Sequence, residues 1–138
     1  MPAAQILLPM FALVALTFSV LLMIPIARFR AASAGKVNVG DFRLGESERV
    51  PPETRLPNRN YMNLLELPVL FYVVCLSMYV TNKVDAAAVT IAWVYVALRF
   101  THSTIHLSYN NVIHRLAAFA SSNVVLSVLW IRFALSAL

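Results

Sequence analysis

Arg59-Asn60-Tyr61-Met62-Asn63-Leu64-Leu65-Glu66-Leu67-Pro68 opens the second apolar segment of the chain. Arg59, Asn63 and Glu66 stand at i, i+4 and i+7 and therefore share one face of a helix. A carboxylate inside a membrane span costs about 2.5–3.5 kcal/mol on insertion scales. A polar or charged partner for Glu66 is therefore expected on a neighbouring helix. The surrounding composition puts this stretch in a bilayer: 60% of the 138 residues are hydrophobic and only 12% charged. An ordinary soluble domain carries about 25% charged residues. The fold class is an all-α membrane protein in one domain.

Four apolar stretches are each long enough to cross a hydrocarbon core at about 1.5 Å per residue. They cover about 6–27, 61–80, 86–107 and 112–138. Pro9 falls in the first turn of the first, where it is tolerated, while Pro25 is expected to kink or end it. Ala31-Ala32-Ser33-Ala34 superficially resembles a signal-peptide cleavage site. No basic residue precedes the apolar run, however, and Arg28 and Arg30 intervene, so it reads as an anchor. The polar stretch of about 30–60 holds Gly35, Gly40, Gly45, Pro51, Pro52 and Pro57, and reads as an irregular loop with at most short structure. Asn82-Lys83-Val84-Asp85 and Ser108-Tyr109-Asn110-Asn111 are tight connections. Short connections imply antiparallel neighbours, hence an up-down four-transmembrane-helix bundle.

Basic residues set the direction. Arg28, Arg30, Lys36, Arg43, Arg49, Arg55, Arg59, Arg99 and Arg115 fall on one side, and only Lys83 and Arg132 on the other. This asymmetry makes the long loop cytoplasmic and places both termini on the non-cytoplasmic side. It also accounts for the net charge of +5 without a nucleic-acid partner. Arg132 reads as an interfacial anchor. The one cysteine, Cys75, lies mid-span and reads as an inert core thiol.

In this threading several polar groups meet at one depth. The third helix carries Arg99, His102 and His106 at i, i+3 and i+7, with Tyr95 one turn deeper on the same stripe. The fourth helix starts there with His114 and Arg115, and the first ends there with Arg28 and Arg30. Each group has a plain alternative: the end arginines can snorkel to headgroups, Glu66 can serve only to hold Arg99, and the histidines can be satisfied packing residues. Two histidines at i, i+4 without a third ligand do not make a metal site. Together, five arginines around one carboxylate form a zone suited to a small anion. Such a zone lowers the pKa of a bound thiol, since nearby cations favour the thiolate.

The run of Arg59, Asn63, Glu66 and Pro68, followed by an apolar helix, resembles the second-helix signature of the MAPEG family, the membrane-associated proteins in eicosanoid and glutathione metabolism. Four spans, a long polar first loop, and Arg99, His102 and His106 followed by Arg115 are also similar to that family. The resemblance implies a homotrimer with glutathione as cosubstrate, bound between subunits near the cytoplasmic face. By motif position it implies glutathione contacts from Arg59, Asn63 and Glu66, with Arg28 or Arg30 contributing from the first helix. Arg99, His102 and His106 complete the expected substrate-binding set, and Arg115 takes the place of the thiolate-stabilising arginine as the expected catalytic residue. His102 and His106 stand where eukaryotic glutathione-using members carry tyrosines. The chain thus looks more like the bacterial branch, which implies an integral protein of a bacterial inner membrane.

The leading expectation is a membrane glutathione S-transferase or peroxidase acting on lipophilic electrophiles or lipid hydroperoxides supplied by the lipid bilayer. A non-catalytic membrane subunit that binds a partner protein or lipid is the main alternative. A small proton-coupled transporter fits less well, because Glu66 lies near one end of its helix and not at the midplane where coupling sites usually sit.

Overall fold

The computed structural model describes residues 3–138, which form an all-helical antiparallel bundle of four rods. A single 3-10 turn, Ala3–Ile6, leads into α1, Leu7–Ser33. The second rod has two pieces, α2 (Pro52–Leu65) and α3 (Pro68–Val80). The third is α4, Ala86–Leu107, and the fourth α5, Val112–Ala137. Among the described residues, three stretches are long and apolar enough to cross a membrane: Ala3–Ser33, Pro52–Val80 and Val112–Ala137. Helix α4 is shorter, at 22 residues, and its hydropathy is diluted by Arg99, His102, Ser103 and His106, all of them buried. The bundle therefore hides polar groups and exposes apolar ones such as Phe11, Phe18 and Leu22, the arrangement a hydrocarbon surround favours.

Helix α1 does not end at Pro25 but runs through it to Ser33. Proline deletes one i→i−4 bond, and the bonds on either side carry the helix on. Its end is set by Gly35 at φ +70°. The Gly35 N–H bonds the Ala32 carbonyl and the Lys36 N–H that of Ala31, both at 2.9 Å, a Schellman closure that needs a left-handed residue at this point.

The polar stretch is also more ordered than its prolines suggest. Residues 52–60, expected to be irregular, form the first turns of α2. Pro52 occupies the first helical position, where the missing N–H has no helical partner to lose. Pro57 forfeits only the bond to the Glu53 carbonyl and is itself buried. The true connection, 34–51, is tied back at several points. Arg28 pairs with Glu46 at 3.4 Å and lies 4.6 Å over the Phe42 ring. Arg55 donates to the carbonyls of Val50 (2.7 Å) and Ser47 (2.8 Å).

Buried Asp41 accepts from the Asn38 N–H at 2.8 Å and the Ser47 hydroxyl at 2.9 Å. These hydrogen bonds, the Asn38 N–H foremost, hold its carboxyl below the ordinary value of 3.8. A carboxyl depressed in the fold stabilises it above the unfolded value, and that contribution fades as pH falls through the folded one. The connection is therefore expected to stay closed at mildly acidic pH and to loosen only below the usual carboxylate range. Hydrogen exchange at the Asn38 amide, followed against pH, checks this; loss of protection already near pH 5 contradicts it.

The core changes character along its length. Near the termini it is apolar, with Leu13, Phe71, Val74, Cys75, Met78, Ala92 and Leu129 fully or almost fully buried. Tyr95 stacks on Phe71 with centroids 4.6 Å apart. Toward the long connection the same interior is filled by Arg99, His102, Ser103 and His106 of α4 and Asn60 of α2. Arg132 is not a free anchor: it pairs with Asp85 at 2.6 Å, the residue whose carboxylate caps α4 through the Ala88 N–H.

Candidate binding cleft at the break in the second rod

An uninterrupted helix through residues 61–80 would need an N–H at position 68, and proline has none. Its ring also clashes with the carbonyl four residues back. The helix accordingly ends at Leu65, Glu66 turns away at φ −87°, ψ −107°, and α3 restarts with Pro68 at its first position. The break lets the two halves of the rod take different neighbours. Helix α2 packs on α1 and α4, whereas α3 packs on α5, where Trp130 also donates to the Leu70 carbonyl at 3.2 Å. Above the break α2 and α5 do not close on each other, and a cleft of about 480 Å³ lies between them.

The cleft is built from three helices. Arg59, Asn63 and Glu66 line it from α2, His102 and His106 from α4, and Arg115 and Phe119 from α5. The periodicity of each helix puts these residues on one face, and the break exposes that face. His102 and His106 are buried, with rings 5.8 Å apart and nearly perpendicular. Their Nδ1 atoms have no hydrogen-bond partner among the described residues. Arg115 is half-buried, and its Nη1 is held by Asn110 Oδ1 at 2.7 Å. Asn110 sits in the left-handed region at φ +48°, which asparagine tolerates better than most residues. Asn111 then caps α5 by accepting from the Ile113 and His114 N–H groups at 3.0 Å. The turn thus both starts α5 and aims Arg115.

Arg99 is fully buried and does not line the cleft. Its Nη2 donates to the main-chain carbonyl of Asn63 at 2.9 Å. An intact helix would pair that carbonyl with the Leu67 N–H, a partner removed by the break. Arg99 therefore caps the C-terminal end of α2 from a neighbouring helix, where the helix dipole favours a cation. Its guanidinium carbon also lies 5.7 Å from the centroid of Phe119.

Glu66, for which an ion-pair partner was expected, has none within 4 Å among the described residues, and it is exposed to the cleft side. The reading of Glu66 as the holder of Arg99 is thus replaced: a carbonyl holds Arg99 and the carboxylate is uncommitted. Nor do all five arginines converge. Arg59 and Arg115 line the cleft and Arg99 lies behind it, but Arg28 is taken by Glu46 and Phe42. Arg30 is exposed on the other side of α2, beside Lys36 and Glu53. The cleft still holds two guanidiniums against one carboxylate, with a third guanidinium behind.

Asn60 and Ser103 were missed from the sequence. Both are buried, and the Ser103 hydroxyl donates to Asn60 Oδ1 at 3.2 Å, fastening α2 to α4 beside the cleft. Their signal was a polar residue on each apolar helix one step off the charged stripe, the usual glue between helices in lipid. Phe119, the apolar wall of the cleft, carried no distinguishing sign among so many exposed aromatics.

Searches of curated proteins and of solved structures gave no match. The description of the matching family model is "MAPEG family", and it matches residues 6–135. Spanning nearly the whole chain, that match covers every helix that builds the cleft, and the chain belongs to the MAPEG family.

Proposed function

We propose that this protein is a membrane glutathione S-transferase or peroxidase, with glutathione held as its anion in the cleft between α2 and α5. The observation that supports the reading is that two guanidiniums, of Arg59 and Arg115, and one carboxylate unpaired among the described residues, of Glu66, line the same cleft. Glutathione is a complementary guest: its two carboxylates suit Arg59 and the donors of Asn63 and the histidines, and its ammonium suits Glu66. Arg115, held by Asn110, is proposed as the group that stabilises the thiolate, since a cation beside a thiol lowers its pKa.

The chemistry asks little more of the protein. The ionised sulfur forms a C–S bond to an electrophilic carbon, and the leaving group departs with the displaced electron pair. With a lipid hydroperoxide, two thiols are oxidised to the disulfide as the O–O bond breaks to give an alcohol and water. Positioning and electrostatic preorganisation supply the rate, and the bilayer supplies the lipophilic reactant. The assembly is proposed as a homotrimer, in which the exposed Arg30 of a neighbouring subunit completes the site. The long connection is proposed to face the cytoplasm of a bacterial inner membrane, in keeping with the basic residues at that end.

Calorimetric titration of the purified protein with glutathione tests this. Saturable binding is expected, weakened about tenfold or more in Glu66→Ala and in Arg59→Ala, since each removes a charge-assisted hydrogen bond of about 1.5–3 kcal/mol. No heat of binding to the wild type overturns the glutathione reading.

A further inference from the structure

We propose that the connection between α1 and α2 is a second membrane-contacting element, which lays an apolar tip and two arginines onto a leaflet carrying anionic headgroups. This inference is independent of the cleft and of what it binds. Two aliphatic side chains of the connection stand almost entirely free: Val39 is 91% exposed and Leu44 97%. A folded segment that can bury its apolar residues normally does so, and this one buries Val37 and Val50 beside Ala31. The same connection leaves its other two aliphatic side chains outside.

The segment is not slack. Asp41, Ser47 and Asn38 tie its short 3-10 turn, Val39–Phe42, together. Arg28 grips it at Glu46 and Phe42, and Arg55 closes its far end. Gly45, at φ +92°, turns the chain directly after Leu44. The exposed pair is thus presented by a clamped scaffold. It is also continuous with the exposed apolar surface of α1, a helix long and apolar enough to cross a membrane. Val39 shares a groove with Phe29 and Pro25 of α1, and Phe29 and Ile26 are exposed on that spanning helix.

Charge selects the kind of surface. Arg43 adjoins Leu44 and Arg49 lies within charge reach of Asp41 in the same turn; both are exposed, and neither makes an ion pair within 4 Å among the described residues. Basic residues beside inserted apolar ones are the pattern of an interfacial contact with anionic lipid.

Nitroxide labels at Leu44→Cys and, as an aqueous control, at exposed Glu48→Cys test the proposal in reconstituted full-length protein. Cys75 is fully buried and will not compete for label in the folded protein, so a labelling ratio of one per chain also verifies folding. In vesicles of phosphatidylcholine with phosphatidylglycerol, the label at 44 is expected to gain collisions with oxygen and lose those with a water-soluble nickel chelate. The label at 48 should remain aqueous. The immersion should become shallower in phosphatidylcholine alone and in Arg43→Glu/Arg49→Glu. A label at 44 as aqueous as that at 48 overturns the proposal, as does one shielded from both reagents, which would mean that protein covers the tip. Equal immersion in both vesicle types and in the charge-reversed variant overturns the anionic partner.

Discussion

Arg115→Ala is expected to lower glutathione-dependent turnover by about 100- to 1,000-fold, the usual cost of removing one preorganised group that stabilises developing or resting negative charge. The size follows from how Arg115 is held. It is half-buried at the start of α5, and Asn110 fixes its guanidinium at 2.7 Å, so little reorganisation is needed to meet a thiolate. The loss should fall mainly on kcat, because Arg59, Asn63 and Glu66 remain to bind the rest of the tripeptide. Arg115→Lys keeps the charge but not the fork that reaches both Asn110 and a ligand, and is expected to recover only part of the rate. Steady-state conjugation of a lipophilic electrophile in proteoliposomes gives the rates. Ultraviolet absorbance of the bound thiolate, followed against pH, separates thiol ionisation from binding. An Arg115→Ala protein with unchanged thiol ionisation would remove Arg115 from the chemistry.

The second large effect is expected at Arg99, which never reaches the cleft. Two terms of opposite sign meet there. Removing a fully buried guanidinium relieves its desolvation cost. It also strips the Asn63 carbonyl of its donor, a loss of about 1–3 kcal/mol for a buried acceptor left unmade. The second term is expected to win, because the guanidinium sits at the C-terminal end of α2, where both the dipole and the unpaired carbonyls favour a cation. Arg99→Met, which retains bulk but no donor, should lower the thermal midpoint in detergent and weaken glutathione binding together. Arg99→Lys should lie between it and the wild type. A higher midpoint in Arg99→Met would mean that desolvation dominates and that the cap contributes little.

These two arginines also mark how far the sequence could be read. The stripes Arg59–Asn63–Glu66 and Arg99–His102–His106 are periodic, and local periodicity survives folding, so the polar residues that α2 and α4 give the cleft were visible, although Arg99 of the second stripe lies behind the cleft and not in its wall. The MAPEG resemblance, carried by the same residues, agrees with a family match across residues 6–135. Pro68 was visible too, but its full consequence was not: a proline announces the bond lost at the carbonyl four residues back, here Leu64, and not that the helix ends early enough to free the Asn63 carbonyl as well, nor what will cap it. The Asn63 carbonyl found a donor 36 residues away in α4, and no spacing rule encodes that partnership.

Arg28 was misleading for a similar reason. Counted by depth it belonged with the other cations, but Glu46 and Phe42, in a stretch that looked unstructured, hold it. Pro25, Pro52 and Pro57 look alike as breakers, yet α1 runs through the first, α2 starts at the second and contains the third. Only Pro52, at the first helical position, loses no bond; Pro25 and Pro57 each forfeit one, and the neighbouring bonds of their helices carry the chain through. Asn60 and Ser103 find each other only once α2 and α4 are packed.

The central claim is that the break in the second rod opens a cationic cleft between α2 and α5 that receives an anionic thiol. A cryo-electron-microscopy map of the reconstituted protein at saturating glutathione tests it most directly. Density the size of a tripeptide is predicted against Arg59, Asn63 and Glu66, with its sulfur end toward Arg115. Density placed away from these four residues, or an empty cleft at saturation, would contradict the account.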